Sequence, residues 1–376
     1  MAKERVYLHP PAIDDQEIDH VIDVLKSGWV STVGSVLDHF EKDLEMIHAD
    51  KRVLALNSGT SALHLGLRLA GITTGDRVGV SSLTFCASAN VVLYEGAIPV
   101  FFDSEGDGWN LDPVLLEEYL TKNHLKALIL THLFGMPAQI KEIRRICMEN
   151  GVLLIEDAAE ALGATYDDQA VGTFGAYGAL SFNGNKIVTT SSGGALICDE
   201  YQYEEGLKLA SQAKEPGTSE YHHLALGYNY RLSNVLAGIG VAQLRKLPAY
   251  LARKQDLFQY YADHLPGKYF QLQASSGRAK SNHWLTGIVV QETVQEEISP
   301  SEIIEVLEKA NIEARHFWKP MHLQPLYQDS KVIGGGQSEW LFKNGICLPS
   351  GAGLSQIDQD RIVSVIMEFL ISRGLS

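Results

Sequence analysis

The chain is short of cysteine, of positive charge and of long apolar runs, and each shortage removes a class of function. Its four cysteines, Cys86, Cys147, Cys198 and Cys347, lie far apart, without the close pairs that metal sites and redox motifs use. They read as reduced thiols of a cytosolic protein. Lysine and arginine number 31 against 46 aspartates and glutamates, a formal charge of −15. Nucleic acid is therefore disfavoured as the main partner, because phosphate backbones need a basic face. No apolar run approaches the roughly 18 residues of a membrane span, and the start, MAKERVYLHPPAID, has no apolar signal core. Neither membrane insertion nor export is expected. Fixed-period repeats and low-complexity tracts are also missing.

What is there is an ordinary globular composition, 376 residues of which 45% are hydrophobic, enough for one large and one smaller domain. Asp14 and Asp15 can cap a helix carrying Ile18, Val21, Ile22 and Leu25 at helical spacing, and Gly28 closes it. From Val53 to Leu196 short apolar runs ending in polar residues (VLALN, VGVSS, IPVFFD, KALILTH, VLLIED) alternate with segments of helical period. This α/β alternation predicts a mostly parallel sheet with helices on both faces. Ligands of such sheets bind at the carboxyl ends of the strands, where Asn57, Ser81, His132 and Asp157 fall. After about residue 245 the pattern shifts to a helix-like stretch, Leu251 to Leu265, and a polar segment, Ser275 to Asn282, read as a loop. We expect a large domain over 1–245 and a smaller α+β domain over 246–376. The run Gly334-Gly335-Gly336 reads as a mobile loop, and Ile362, Val365, Ile366, Phe369 and Leu370 form the stripe of a final helix.

The chemistry centres on Lys186, in Ser-Phe-Asn-Gly-Asn-Lys-Ile-Val-Thr-Thr (181–190), which follows Asp157 by 29 residues. A lysine in a polar, glycine-containing loop after a strand-end aspartate is the minimum equipment for pyridoxal phosphate, with the amine as covalent tether. Alone, Lys186 would be a surface lysine and Asp157 a helix N-cap before Ala158, Ala159 and Glu160. Together they favour a pyridine-nitrogen partner and a nucleophile whose pKa is lowered by desolvation. Asn57-Ser58-Gly59-Thr60-Ser61 passes from strand to helix through small residues whose N–H groups and hydroxyls suit a phosphate, and Ser181 can add a hydroxyl. Phe85 can stack on one face of the cofactor ring and Ala159 is small enough to admit the other, although Phe85 would serve equally in a core. Glu160 can reach the cofactor's phenolic oxygen or lie on a solvated helix face. A nicotinamide dehydrogenase would want Gly-x-Gly-x-x-Gly after the first strand, which Asn57 to Leu63 does not supply.

The strings NSGTSALHLGL (57–67), EDAAEALGATY (156–166), GTFGAYGALSFNGNKIVTT (172–190) and GYNYRLSN (227–234) resemble the nucleotide-sugar aminotransferases of the DegT/StrS type, a fold type I pyridoxal phosphate family. With SGWVSTVG (27–34) and GICLPSG (345–351) the pattern is similar to the 4-aminotransferases acting on UDP-4-keto-6-deoxy-N-acetylglucosamine in bacillosamine synthesis. The resemblance implies a mostly parallel sheet of the seven-stranded type in the large domain and a homodimer with shared sites. Lys186 matches the cofactor-bearing lysine, Asp157 the pyridine-nitrogen partner, and Ser58, Gly59, Thr60 and Ser181 the phosphate contacts. Asn229 matches a residue reaching the cofactor phosphate of the neighbouring subunit. Trp29, Asn57, Asn185, Arg231, Trp318, Lys319, His322 and Gln324 match regions expected around the nucleotide-sugar. Many members have glutamine where Glu160 stands and GEGG where this chain reads Ser191-Ser192-Gly193-Gly194. The implied reaction moves an amino group from L-glutamate to a 4-keto sugar in two half-reactions, with Lys186 shuttling the proton. The alternatives are a GDP-4-keto-6-deoxymannose 4-aminotransferase and a noncatalytic cofactor-binding regulator. Sugar dehydratases of this type replace the lysine by histidine, whereas here Lys186 is intact.

Overall fold

The computed structural model describes residues 4–49, 51–215, 217, 220–275 and 277–375. The five apolar runs become strands β1 (Arg52–Leu56), β2 (Arg77–Ser81), β3 (Ile98–Phe102), β4 (Ala127–Thr131) and β5 (Leu153–Asp157) of one sheet. Its order is β1, Gly194–Cys198, Tyr177–Ser181, β5, β4, β2, β3 and Lys331–Ile333. Only Gly194–Cys198 runs antiparallel to its neighbours. Successive side chains point to opposite faces, so each strand feeds two cores: Val53, Leu128 and Leu180 enter one, Leu54, Ile129 and Ala179 the other. The architecture is the expected α/β one. The eighth, edge strand comes from the C-terminal third, which the apolar pattern does not reveal because Lys331–Ile333 is only three residues long and half-exposed.

A single helix, Asn234–His264, runs across residue 245 and leads into a four-stranded antiparallel sheet ordered Phe270–Leu272, Thr286–Val290, Gly345–Leu348, Arg315–His316. The helices Pro300–Lys309 and Gln356–Ser372 cover it through Ile303, Leu307, Ile362 and Ile366. Within the segment read as a loop, Ala279–Lys280 pairs with Thr165–Tyr166, and Ser276 lies outside the described residues.

Two expectations change. The helix Asp15–Ser27 forms with Asp14 as N-cap, a capping box to Glu17, and Gly28 at φ 78°, but it faces the other way. Val24 and Glu17 are buried, Val24 against Gly238 of the long helix, while Ile18 and Leu25 are more than half exposed. The inward side is fixed by polar contacts, since Glu17 accepts hydrogen bonds from Gln243 and Lys246 at 2.8 and 2.7 Å. The triple-glycine run, in turn, is pinned rather than mobile. Asp103 accepts from the N–H groups of Gly336, Gln337 and Ser338 at 2.7, 2.8 and 2.7 Å, which satisfies the first turn of the helix Gln337–Asn344. At Gly334, φ 135°, a Cβ would come within 2.2 Å of the Asp103 Cβ, so glycine is required by close approach.

Candidate active site

The antiparallel pair Tyr177–Ser181 and Gly194–Cys198 is joined by the loop that carries Lys186. Phe182, buried against Phe40, anchors it; the Thr190 N–H donates to the Phe182 carbonyl at 2.9 Å and the Lys186 N–H to that of Asn183 at 2.9 Å. The lysine side chain turns inward to 12% exposure and lies at the carboxyl end of β5, with its Nζ 3.6 Å from Glu160 Oε1 and 3.9 Å above the Trp284 ring. Burial pulls its pKa below the ordinary lysine value, and the carboxylates of Glu160 and Asp157 only partly offset this.

Asp157 and Glu160 occupy the same sheet end in different surroundings. Asp157 accepts from Ser88 Oγ at 2.5 Å and from the Ala159 N–H at 3.1 Å, leaving it directed into the cavity. Glu160 is nearly dry: the Phe134 N–H donates to its Oε2 at 2.7 Å, and desolvation pushes its pKa up to about 7, with Lys186 opposing the shift and Asp157 reinforcing it. Ser88 carries no signal in the sequence, since it sits inside the helix Cys86–Tyr94 among small residues.

Opposite this pair, the helix Gly59–Leu69 opens into the same cavity. Ser58 caps it, accepting from the Ser61 N–H at 3.0 Å, and the N–H groups of its first turn meet Ser181 across the gap. The approach is tight enough to exclude side chains: a Cβ on Gly59 would touch Ser181 Cβ at 3.0 Å, and one on Gly194 would fall 2.4 Å from the Gly59 nitrogen. A helix N-terminus ringed by hydroxyls and backed by glycines fits a phosphate.

The cavity, of about 340 Å³, brings Ser58, Gly59, Thr60, Phe85, Asp157, Ala159, Glu160, Ser181, Asn185, Lys186 and Trp318 together. Its lining is completed by the buried Trp284 and Leu285 and by the exposed Arg315 and His316, which sequence reasoning missed because they arrive with the smaller sheet. A repeated aromatic-basic pattern in the segment 315–324 is the one signal that could have extended the list to Arg315 and His316. The remaining candidates lie outside the cavity lining. Asn57 donates to the Asn229 carbonyl at 3.0 Å and accepts from Ser61 Oγ at 2.6 Å. Arg231 is buried in an ion pair with Glu41 at 2.6 Å. His322 is tied to Ser82 at 2.5 Å and Glu339 at 3.1 Å, and Gln324 donates to the Lys319 carbonyl at 3.3 Å. Trp29 and Asn229 are exposed. Ser192 Oγ donates to the Asn57 carbonyl at 2.9 Å and so ties the lysine loop to the strand-to-helix turn.

The DegT/DnrJ/EryC1/StrS aminotransferase family matches residues 11–367 of this chain. The chain belongs to that family. EpsN of Bacillus subtilis (strain 168), named as a pyridoxal phosphate-dependent aminotransferase, is 42% identical over 97% of this chain and 95% of its own. A GDP-perosamine synthase of Vibrio cholerae is 33% identical over 96% of this chain and 98% of its own. Among solved structures, the PLP-form of the sugar aminotransferase Spr1654 from Streptococcus pneumoniae superimposes with a TM-score of 0.90 at 26% identity, covering 98% of this chain and 99% of that one. The fold is that of the fold type I aminotransferases, and the protein is a pyridoxal phosphate-dependent sugar aminotransferase. The glycine-backed helix terminus and the buried lysine facing a strand-end aspartate are a donor set that fits this cofactor. Among the described residues no helix is long and apolar enough to cross a membrane.

Proposed function

We propose that this family member transfers the amino group of L-glutamate to C4 of UDP-2-acetamido-2,6-dideoxy-4-keto-hexose, giving UDP-4-amino-4,6-dideoxy-N-acetylglucosamine and 2-oxoglutarate. The observation that carries the reading is a buried lysine facing two carboxyl groups, beneath a mouth lined by Trp318, Arg315 and His316. An aromatic plate and two nitrogen-bearing side chains suit a base and a diphosphate at the entrance, while the amine waits below. The motifs SGWVSTVG and GICLPSG support the UDP-linked amino sugar. A GDP-4-keto-6-deoxymannose substrate is the second reading, favoured by the 33% identity to a protein named GDP-perosamine synthase.

Bound pyridoxal phosphate supplies an electron sink for the charge left when a carbon gives up its proton. The Ser58–Thr60 turn and Ser181 bind its phosphate, and Asp157, steadied by Ser88 and the Ala159 N–H, pairs with its pyridine nitrogen. Phe85 and Ala159 hold the two ring faces. Lys186 would tether the cofactor; as a free amine it would take the proton from the α carbon of glutamate, and as an ammonium it would deliver a proton to C4 of the sugar. Its lowered pKa suits both duties, because the same nitrogen must be neutral to take a proton and charged to give one.

The working unit in this reading is a homodimer with shared sites. Ile18, Leu25, Trp29, Val30 and Val33 are exposed apolar residues close in sequence, and Leu224 and Leu226 are exposed a few residues before the accessible Asn229. Unpartnered apolar surface of this kind marks an interface, and Asn229 is free to reach a phosphate in a second copy.

The experiment is incubation with L-glutamate and UDP-4-keto-6-deoxy-N-acetylglucosamine, with the sugar product read by mass and NMR. A 4-amino product supports the proposal. If glutamate converts the cofactor but no UDP-sugar is aminated while the GDP-sugar is, the second reading replaces the first.

A further inference from the structure

An amine that tethers a cofactor and then moves protons must spend part of each cycle released, close to the reacting atoms but bound to none of them. The surroundings of Lys186 contain a site of that kind. Its Nζ lies 3.9 Å over the Trp284 ring and 3.6 Å from Glu160 Oε1. An ammonium above an indole face is attracted by the ring quadrupole. Trp284 is itself held on every side. Its Nε1–H donates to the Asn185 carbonyl at 2.7 Å, one residue before the lysine, and its backbone N–H donates to Asn282 at 2.9 Å. Asn282 in turn donates to the carbonyls of Glu160 and Leu162 at 2.8 and 2.9 Å. The Trp284 carbonyl accepts from the buried Lys254 at 2.7 Å, an amine that also bonds His9 and the Ser350 carbonyl. The strap 281–285 thus ties the indole to the lysine loop and to the Glu160 turn at once.

We propose that the face of Trp284, opposite Glu160, is the resting place of Lys186 while it is off the cofactor and carries the proton it has taken, which makes Trp284 a positioning residue for the proton-transferring lysine. The inference rests on the reading of Lys186 as tether and proton carrier. The indole stabilises the charged amine between proton transfers, and its N–H fixes the loop so that the amine returns to the same place.

The test uses the full-length protein freed of cofactor and follows acylation of Lys186 against pH by peptide mass spectrometry, in the parent, Trp284→Phe and Trp284→Leu. The charged and titratable groups around the amine are unchanged in all three: Glu160 and Asp157 from the end of β5, His9 and Lys254 in contact with Trp284, and Arg315, His316 and Cys347 across the cavity. Loss of the aromatic face removes a cation–π contact, so the pH midpoint of acylation is expected to fall by about one unit in Trp284→Leu and by less in Trp284→Phe. A packing role alone would admit water to the amine and raise the midpoint. Midpoints that are equal in all three proteins, or higher in the variants, overturn the inference; if the leucine variant does not fold, Trp284→Met replaces it. Borohydride reduction of the cofactor-loaded parent, mapped by peptide, separates the two failures. Label on Lys186 with equal midpoints sinks the resting site alone, whereas label on another lysine sinks the tether and the inference together.

Discussion

The inner and outer halves of the cavity are built by different means. The inner half comes from residues that directly continue strands: Asp157 ends β5, Ser181 ends the strand Tyr177–Ser181, and Ser58 to Thr60 follow β1 by two residues. The outer half comes from the edge strand of the smaller antiparallel sheet, Arg315 and His316, and from Trp318 just beyond it, whereas Trp284, buried beside Thr286–Val290, reaches in to Lys186. Positions fixed by a strand end are held by backbone hydrogen bonds and can keep reacting atoms in register. Positions on an edge strand depend on how two sheets pack, and can vary while the chemistry below stays the same. On the proposed reading the inner half decides what is done and the outer half to which sugar.

The largest effects are expected at the inner half. Lys186→Ala is expected to bind cofactor without the covalent tether and to lower turnover by about 10³- to 10⁴-fold, read as single-turnover amination. Asp157→Asn keeps its hydrogen bond with Ser88 and its fold but loses the charge opposite the pyridine nitrogen, and a fall of about 10²- to 10³-fold is expected. Near-parental rates in either variant break the comparison, because chemistry would then reside elsewhere.

Arg231 sharpens the division from outside. Resemblance assigns it to the sugar region, yet it is spent on Glu41, which also accepts from the Ala55 N–H at 2.7 Å and from Tyr203 at 3.2 Å. Breaking a buried pair leaves a charge uncompensated, so Arg231→Ala is expected to lower unfolding stability by roughly 3 kcal/mol in urea titrations while sugar KM changes little. A large KM change at unaltered stability would return Arg231 to the substrate.

Glu160 gives a pH-dependent version. Its carboxyl binds a proton more tightly folded, at about 7, than unfolded, near 4.5. The folded chain therefore holds the extra proton between those values, and stability is lost as pH rises through that window. By 1.36 kcal/mol per pKa unit the penalty above pH 7 is at most about 3 kcal/mol. Glu160→Gln removes it, so the cofactor-free variant is expected to exceed the parent in stability at pH 8 and to lose most of that gain by pH 5. A gain of equal size at both pH values would show that the carboxyl's titration is not its origin.

The same contrast explains what the sequence makes legible. The strands β1 to β5 are short apolar runs with polar ends, a local signal, and Asp157 and the Ser58–Thr60 turn attach to those runs directly, while Lys186 follows the later strand Tyr177–Ser181 by five residues. Trp284 has no such cue: it sits after a polar stretch, between His283 at φ 48° and Leu285, and long-range hydrogen bonds, from Asn282 to the Glu160 turn and from its own indole to Asn185, carry it to the lysine. The stripe Ile18, Val21, Ile22 and Leu25 has correct helical periodicity, yet periodicity cannot tell a core from an interface. Buried Glu17, paired with Lys246, decides the orientation instead. Of the strand-end residues, His132 is spent on Glu156 at 3.0 Å and Ser81 on the Thr131 N–H at 3.2 Å, so a place at the carboxyl end is necessary but not sufficient for facing the ligand.

The smallest effect is expected at the mouth, and it tests the outer half as a selector. Trp318 lies 5.6 Å from Phe85 and 5.4 Å from Phe134 between ring centroids, an aromatic plate open on the cavity side. If that face meets the nucleotide-sugar, Trp318→Ala removes a contact of the order of 0.5–1.5 kcal/mol, and the sugar KM is expected to rise roughly three- to tenfold with kcat and the glutamate KM nearly unchanged. Steady-state kinetics with each substrate varied in turn measures this. Should both KM values and the urea midpoint move together, Trp318 acts by packing the two sheets, and specificity must then rest on Arg315 and His316, the groups at the mouth that no aromatic cluster holds.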